Sequence, residues 1–592
     1  MKPWSLSLVA CIVACLALDA FAAESPAIKG VTFEPPSPLV RFYHAKVELA
    51  AADAGYTIHQ TAVGDRPDVY VSFIDGKPWQ YNFEGPRGSI DPRIPAGKDV
   101  TLRIRCAWEN GQEYPVRISY DTKAALEEAK ARAKAAGKNP DRARPTPIVI
   151  EGKGKAPAAG GFPYPGWSEY RLLVLGEDQG IARESEPQLL FLSAPKSLVS
   201  SWHDQVRVAA FDLATGKARE IPSQVLSEKT LAVSPAEAKK PARHDAFVAP
   251  APDHVQTTCQ IAFLADVPAR GKSFYLVVYG NPDAKAPSYE TDLKVVKDDQ
   301  GATWIENECW RAQLDPKSGQ FAGAISKLFG TGEDRSFGLK QYPLHYNPDV
   351  WVSGRAWTHT HAWNPPAETR ISAGPVAVVT RRWGTLPGAP EVRVHVTYYF
   401  FSRCPYAITE STIDIEKDLV VNALRNEEIV FAPRTQIDHI GYKRTGGEIG
   451  YKDISVEPGK TRGMLNVIEP DAPYVSMIRE GSKLGMAGIR LGQFAGSRGA
   501  DPAVLATNCT VLADYGWGFR YWSRALVYPW GDYLADESAI INAGTYYSER
   551  SAYCIFPLGD GPKPEAKLAW LEQLSRRLHA PVRIDHQGAG PW

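Results

Sequence analysis

Nine residues in the middle of the chain, Arg355-Ala-Trp-Thr-His-Thr-His-Ala-Trp363, hold two imidazoles, a guanidinium and two indoles in strict alternation with small residues. Side chains of a strand alternate between faces, so the spacing predicts Arg355, Trp357, His359, His361 and Trp363 on one side and Ala356, Thr358, Thr360 and Ala362 on the other. At a rise of about 3.3 Å per residue, the large side chains would stand roughly 6 to 7 Å apart, close to the length of a sugar ring. Just upstream, Tyr342-Pro-Leu-His-Tyr-Asn-Pro-Asp-Val-Trp351 adds His345, Tyr346 and Trp351.

A neutral imidazole with a pKa near 6.5 can take a proton at ordinary pH, and a phenol such as Tyr346 can supply one. Arg355 offers a planar fork for a carboxylate, and Trp351, Trp357 and Trp363 offer flat faces. This inventory suits β-elimination from a uronic acid, in which the carboxylate is neutralised, an adjacent proton removed and the leaving oxygen protonated. The competing reading is a core strand, although burying two histidines and an arginine would demand many polar partners. A further reading is a zinc site on His359 and His361, for which His345, His395, Glu410 and His439 are candidate third ligands by type alone.

A second set lies in Val394-His-Val-Thr-Tyr-Tyr-Phe400, where alternation places His395 and Tyr399 on one face. Further on, Asn422, Arg425, Asn426 and Glu427 form a polar edge, and Tyr515-Gly-Trp-Gly-Phe-Arg520-Tyr521-Trp522 offers aromatic faces and a guanidinium. Arg425, Arg520 and Tyr521 are therefore taken as substrate-contacting candidates beside the three tryptophans. Glycine-rich phosphate loops, Gly-x-Ser-x-Gly, His-Glu-x-x-His and calcium-loop patterns are all missing, which removes the nucleotide, esterase and zincin readings.

The elements that must position these groups read as mainly β. The 592 residues exceed one ordinary domain, and 67 basic residues balance 67 acidic ones, so no bulk charge favours nucleic acid or an anionic membrane. Lys2, an apolar run from Leu6 to Leu18 and Ala20-Phe-Ala22 have the order of a secretory leader over 1–23, which predicts a secreted or periplasmic protein. Ile12-Val-Ala-Cys15 also has the form of a lipobox, whose product would be an outer-membrane lipoprotein. No later apolar run is long enough to span a bilayer. Six cysteines remain outside the leader, widely spaced and without a Cys-x-x-Cys pair, as buried thiols or as one or two disulfides.

Short alternating runs with Asp75-Gly76 turn chemistry predict a small β-sandwich over 24–120. Thr122 as N-cap and Gly137 as terminator bracket a solvated spacer helix, followed by a Pro- and Gly-rich linker to residue 165. Runs such as Gln188-Leu-Leu-Phe-Leu and Ser273-Phe-Tyr-Leu-Val-Val-Tyr predict a second β-sandwich over 166–300. Pro564 and the stripe Leu568, Leu571, Leu574 and Leu578 predict a docking helix in the tail, 561–592.

Between them, Glu306-Asn-Glu308, Trp310-Arg-Ala-Gln-Leu-Asp-Pro, Ser318-Gly-Gln320, Gly374-Pro-Val376 and Ile408-Thr-Glu-Ser-Thr-Ile-Asp-Ile resemble a mutarotase-like β-supersandwich, over 301–560. Such sandwiches occur in secreted bacterial carbohydrate-active proteins, among them some polysaccharide lyases and the C-terminal region of α-mannosidases. The resemblance implies a large antiparallel sandwich and a polysaccharide or oligosaccharide partner, while a fold alone assigns no chemistry. The leading expectation is a lyase that cleaves a uronate-containing glycan without a cofactor, a divalent ion such as zinc or calcium being the alternative. The two rivals are a glycoside hydrolase using Glu306, Glu308, Glu410 or Asp414, and a noncatalytic glycan-binding surface protein.

Overall fold

The computed structural model describes the chain apart from residues 1–24, 34–41, 65–70, 76, 79–92, 108–111, 156–165, 213–214, 233–254, 330–335, 338–347, 432–436, 456–462, 470, 500–508, 516–518, 528–537 and 590–592. The leader and lipobox, as well as His345 and Tyr346, thus lie outside the described residues. The chain is mainly β and antiparallel, and divides into two compact units, one made chiefly of residues 1–172 and the other chiefly of residues 173–587.

In the first unit, a five-stranded and a four-stranded sheet enclose a core that includes Val47, Leu102, Ile104, Val116 and Ile118. The helix Lys123–Ala135 starts where Thr122 accepts a hydrogen bond from the Ala125 amide at 3.2 Å, and Gly137 follows it at φ 68°. Only Ala129 of this helix is buried, as expected of a face with so few large apolar residues. Part of the expected linker is structured, because Ile148–Lys155 pairs along Glu113–Thr122. Small Gly152 and Gly154 admit the side chains of Ile28 and Val31, a close approach that composition alone reads as looseness.

In the second unit, the strands Arg183–Pro195, Val255–Val267 and Ser223–Ala232 form a three-stranded sheet over a core containing Leu190, Ile261, Phe263 and Trp202. A seven-stranded and a nine-stranded sheet then share the largest core of the molecule. The seven-stranded sheet contributes Val350, Val352, Leu424, Ile429, Phe431 and Trp522, and the nine-stranded sheet Val394, Val396, Tyr398, Ile413, Tyr553 and Ile555. Strict alternation, as in Val392, Val394 and Val396 against exposed Arg393 and His395, is what lets one face of a strand close a core while the other carries polar groups.

The C-terminal helix breaks at Leu568 into Pro564–Lys567 and Ala569–His579. Leu568, Leu571 and Leu574 are buried against Ile478, Ile489 and Phe556 of the nine-stranded sheet, and Leu568 fills the space left by Gly441. Cys259, Cys309, Cys404 and Cys554 are buried, and burial pushes the Cys309 thiol up to about 12. Among the described residues, no helix is long and apolar enough to cross a membrane.

Candidate functional site

The stretch from Arg355 to Trp363 is not one strand. Gly354 at φ 75° turns the chain, with the Arg355 amide donating to the Val352 carbonyl at 3.0 Å. The return arm Thr358–His359 pairs with Asp349–Val352, and Thr360–Ala362 then winds into a 3-10 turn. A residue in the left-handed region after Ser353 is a turn signal, and it outweighs the alternation pattern that follows.

Trp363 consequently leaves the shared face and enters the core at 3% exposure, its indole N–H donating to the Thr385 carbonyl at 2.9 Å. Truncation by Trp363→Ala is expected to cost about 3 to 5 kcal/mol in urea unfolding, against about 1 kcal/mol or less for Trp357→Ala at the surface.

Strand register builds a different cluster. Asp349 lies opposite His359 on one side and Arg425 on the other, so the three side chains project from one face across three strands. Trp351, two residues along, stacks on Trp357 with ring centroids 5.4 Å apart and planes 26° apart. In the strand Leu419–Phe431, Glu427 takes φ 42° at a bulge between Asn426 and Glu428. The extra residue re-aims the strand. Glu427 is turned inward to the buried Arg524 at 3.1 Å, while Glu428 joins Arg425 and Asp349.

Arg425 is the hub. Its Nε lies 3.0 and 3.1 Å from the two Asp349 oxygens, its Nη2 donates to Asp349 and, at 3.1 Å, to Glu428, and its Nη1 lies 3.4 Å from the Ser523 hydroxyl. The guanidinium carbon lies 4.5 Å from the Trp357 ring and 5.0 Å from the Tyr521 ring, within cation–π reach of both. Asp349 and Glu428 are 3% and 1% exposed and hydrogen-bonded to each other. Burial raises both carboxyls, against the pull of Arg425 on each, and the neighbouring Asp349 charge pushes Glu428 well above the usual range. One guanidinium facing two carboxyls is neutral with one proton retained, so the pair stores an acid beside an anion.

His359 is pushed down to about 4 by burial and by the nearby His361 and Arg425 charges. His361 is also lowered by burial; its Nδ1 lies 3.3 Å from the Ser318 hydroxyl, and its ring stacks on His359 at 5.9 Å. Both imidazoles are therefore neutral at pH 7. Since the His359 value lies below that of an unfolded histidine, the folded chain binds fewer protons than the unfolded chain between about pH 6.5 and about 4, so His359 takes stability away as pH falls through that window. Its ring carbon resonance in NMR is expected to titrate near pH 4; a midpoint near the free value would place the ring in water.

The other candidate residues fall elsewhere. Arg355 is held bidentately by Glu391, both contacts at 2.9 Å, and Arg520 is buried with its fork on the Ile437 and Ile454 carbonyls. Tyr521 joins the cluster at 5% exposure. His395 and Tyr399 belong to the nine-stranded sheet, His395 exposed and stacked on Trp383, Tyr399 buried and donating to Glu410 at 3.1 Å. The hydrolase candidates Glu306, Glu410 and Asp414 are paired with Arg311, Arg550 and Arg498, and Glu308 is exposed. Among the described residues, no group of three metal-ligating side chains occurs.

Asp349 and Glu428 are the acids that the sequence reading passed over. The signal for Glu428 was an acidic doublet flanked by Leu-Val-Val and Ile-Val-Phe in one strand-length run, since charge between such apolar ends is buried and must be paired.

The sequence matches no protein-family model and no curated protein. Among solved structures, the chain is similar to a glycosyl hydrolase family 38 protein from Enterococcus faecalis, at 11% identity and TM-score 0.40, over 71% of this chain and 47% of that one. An α-galactosidase from Lactobacillus brevis matches at 8% identity and TM-score 0.27, over 48% and 42% of the two chains. A family 36 α-galactosidase from Geobacillus stearothermophilus matches at 10% identity and TM-score 0.26, over 45% and 41%. This chain spans less than half the length of each.

All three are hydrolases by name and none is a lyase, which overturns the expected lyase. The site agrees: Arg355, Arg425 and Arg520, the guanidiniums expected to take the substrate carboxylate, are each committed to partners within the protein.

Proposed function

We propose that the protein hydrolyses a glycosidic bond on the face carrying Trp351, Trp357, His359, Asp349, Arg425 and Glu428. The observation that carries this reading is the pairing of His359, Asp349 and Arg425 in one cross-strand row, with Glu428 brought in by the bulge and the Trp351–Trp357 stack beside it. Trp357, 37% exposed, gives a sugar ring a flat apolar face, and Arg425 beneath it links that face to the acids.

Because both carboxyls meet the same Nη2, they stand closer than the roughly 5 Å or more that separates the two acids of most glycosidases. They therefore act as one unit, whose retained proton goes to the leaving oxygen. His359, neutral and about as basic as a carboxylate, takes the proton of the attacking water.

New reducing ends should appear when the chain is incubated with a panel of neutral and acidic oligosaccharides, and Trp357→Ala should raise KM. Failure to release reducing ends from any of them would sink the hydrolase reading. A noncatalytic glycan platform is the second reading, favoured by the near-complete burial of Asp349 and Glu428. It predicts binding that Trp357→Ala weakens, with no sugar consumed.

A further inference from the structure

Away from that site, the strands Glu368–Ala373 and Ala377–Leu386 of the nine-stranded sheet set Arg370 directly opposite Arg381. Side chains opposed in this way have Cβ atoms about 4.5 to 5.5 Å apart, and like charges there repel. Arg381 meets the Tyr399 hydroxyl, and among the described residues neither guanidinium forms an ion pair with a carboxylate. Both line a cavity of about 430 Å³, a size within the range of small-molecule sites.

The opposite wall is the strand Ser223–Ala232 and is fixed in place. Gln224 accepts from the Val376 and Ala377 amides at 3.1 and 2.8 Å and donates to the Ala377 carbonyl at 3.1 Å. Its amide fills the space where a Cβ on Gly374 would stand, 2.3 Å from the Gln224 Cδ. Ser227 and His203 add polar groups to the lining, and Glu228 is engaged by the Trp202 amide at 2.9 Å. The cavity is thus preformed, with its two positive groups on one wall. Trp383, two residues beyond Arg381 on the same face, stacks on His395 at 6.3 Å and puts an aromatic face one step along the strand.

We propose that this cavity binds a sugar bearing an anionic substituent, a carboxylate or a sulfate ester, through Arg370 and Arg381. A fork of two guanidiniums matches an oxyanion, and the bound charge relieves the repulsion between the arginines. The proposal is independent of the hydrolase reading, because the pocket lies on a different sheet from Glu428.

The test is calorimetric titration of the full chain carrying Trp357→Ala, which disables the other sugar face. The titrants are a uronic-acid disaccharide, a sulfated disaccharide, their neutral parent and inorganic sulfate. One of the acidic disaccharides should bind at least about tenfold tighter than the neutral parent, the scale of one charge-assisted hydrogen bond. Which of the two binds identifies the substituent. Arg370→Gln should abolish the preference while leaving the melting temperature unchanged or higher, since it removes a like-charge contact; a merely structural arginine would lower it. Arg381→Gln repeats the test, and Glu428→Gln should leave binding intact. Equal binding of the neutral parent, an undiminished preference in both arginine variants, or competition by inorganic sulfate as strong as by the sugar acid would each overturn the proposal.

Discussion

Glu428→Gln is expected to lower kcat by about a hundredfold to ten-thousandfold, the range removed with a general acid, while KM changes little. Glutamine keeps the shape and a hydrogen bond toward Arg425 and Asp349 but has no proton of suitable acidity to give. Trp351 and Trp357, which would hold the sugar, are untouched. The wild-type rate should fall as pH rises through the elevated carboxyl range, because burial and the Asp349 charge hold the Glu428 proton above the usual carboxylate value. The low-pH limb should come from His359 near pH 4. Reducing-sugar assays across pH on both proteins check this; equal turnover by Glu428→Gln would remove the acid from the mechanism.

Arg425→Met is expected to destabilise the fold about as strongly as Trp363→Ala, for an electrostatic reason. It leaves Asp349 and Glu428 buried without their shared cation, and breaking such a pair from one side costs about 3 to 5 kcal/mol. The sign with pH follows from the carboxyls. Folded values raised above the unfolded ones mean that the folded chain holds extra protons, so their contribution is fully present below the ordinary carboxylate range and is lost as pH rises through the raised values. Removing Arg425 lifts those values further. Urea midpoints should therefore diverge from wild type most at alkaline pH and converge in acid. A deficit independent of pH would assign the loss to packing against Trp357 and Tyr521 instead.

Much of the architecture was legible because it depends on local periodicity. The valines of the 389–401 strand are fixed by neighbours two residues away, and the Thr122 cap and the leucine stripe of the tail by neighbours three or four residues away. The site was not, because it depends on register. Asp349 and Arg425 are separated by 76 positions, and nothing in either strand alone names its partner. The bulge at Glu427 decides which acid faces Arg425, and a single shifted residue reverses that choice. The alternation of Arg355 to Trp363 was real in sequence, but the stretch leaves a turn at Gly354 and is cut by the 3-10 turn Thr360–Ala362, so that Trp357 stayed outside, Trp363 went to the core, and His359 and His361 met only as stacked rings.

The most direct test of the central claim is cleavage in heavy-oxygen water followed by mass spectrometry of the products. Hydrolysis on the face of Asp349, Arg425 and Glu428 predicts one heavy oxygen at each new reducing end, formed by the wild type and lost in Glu428→Gln. Unlabelled products, or a panel of oligosaccharides bound and returned intact, would contradict it.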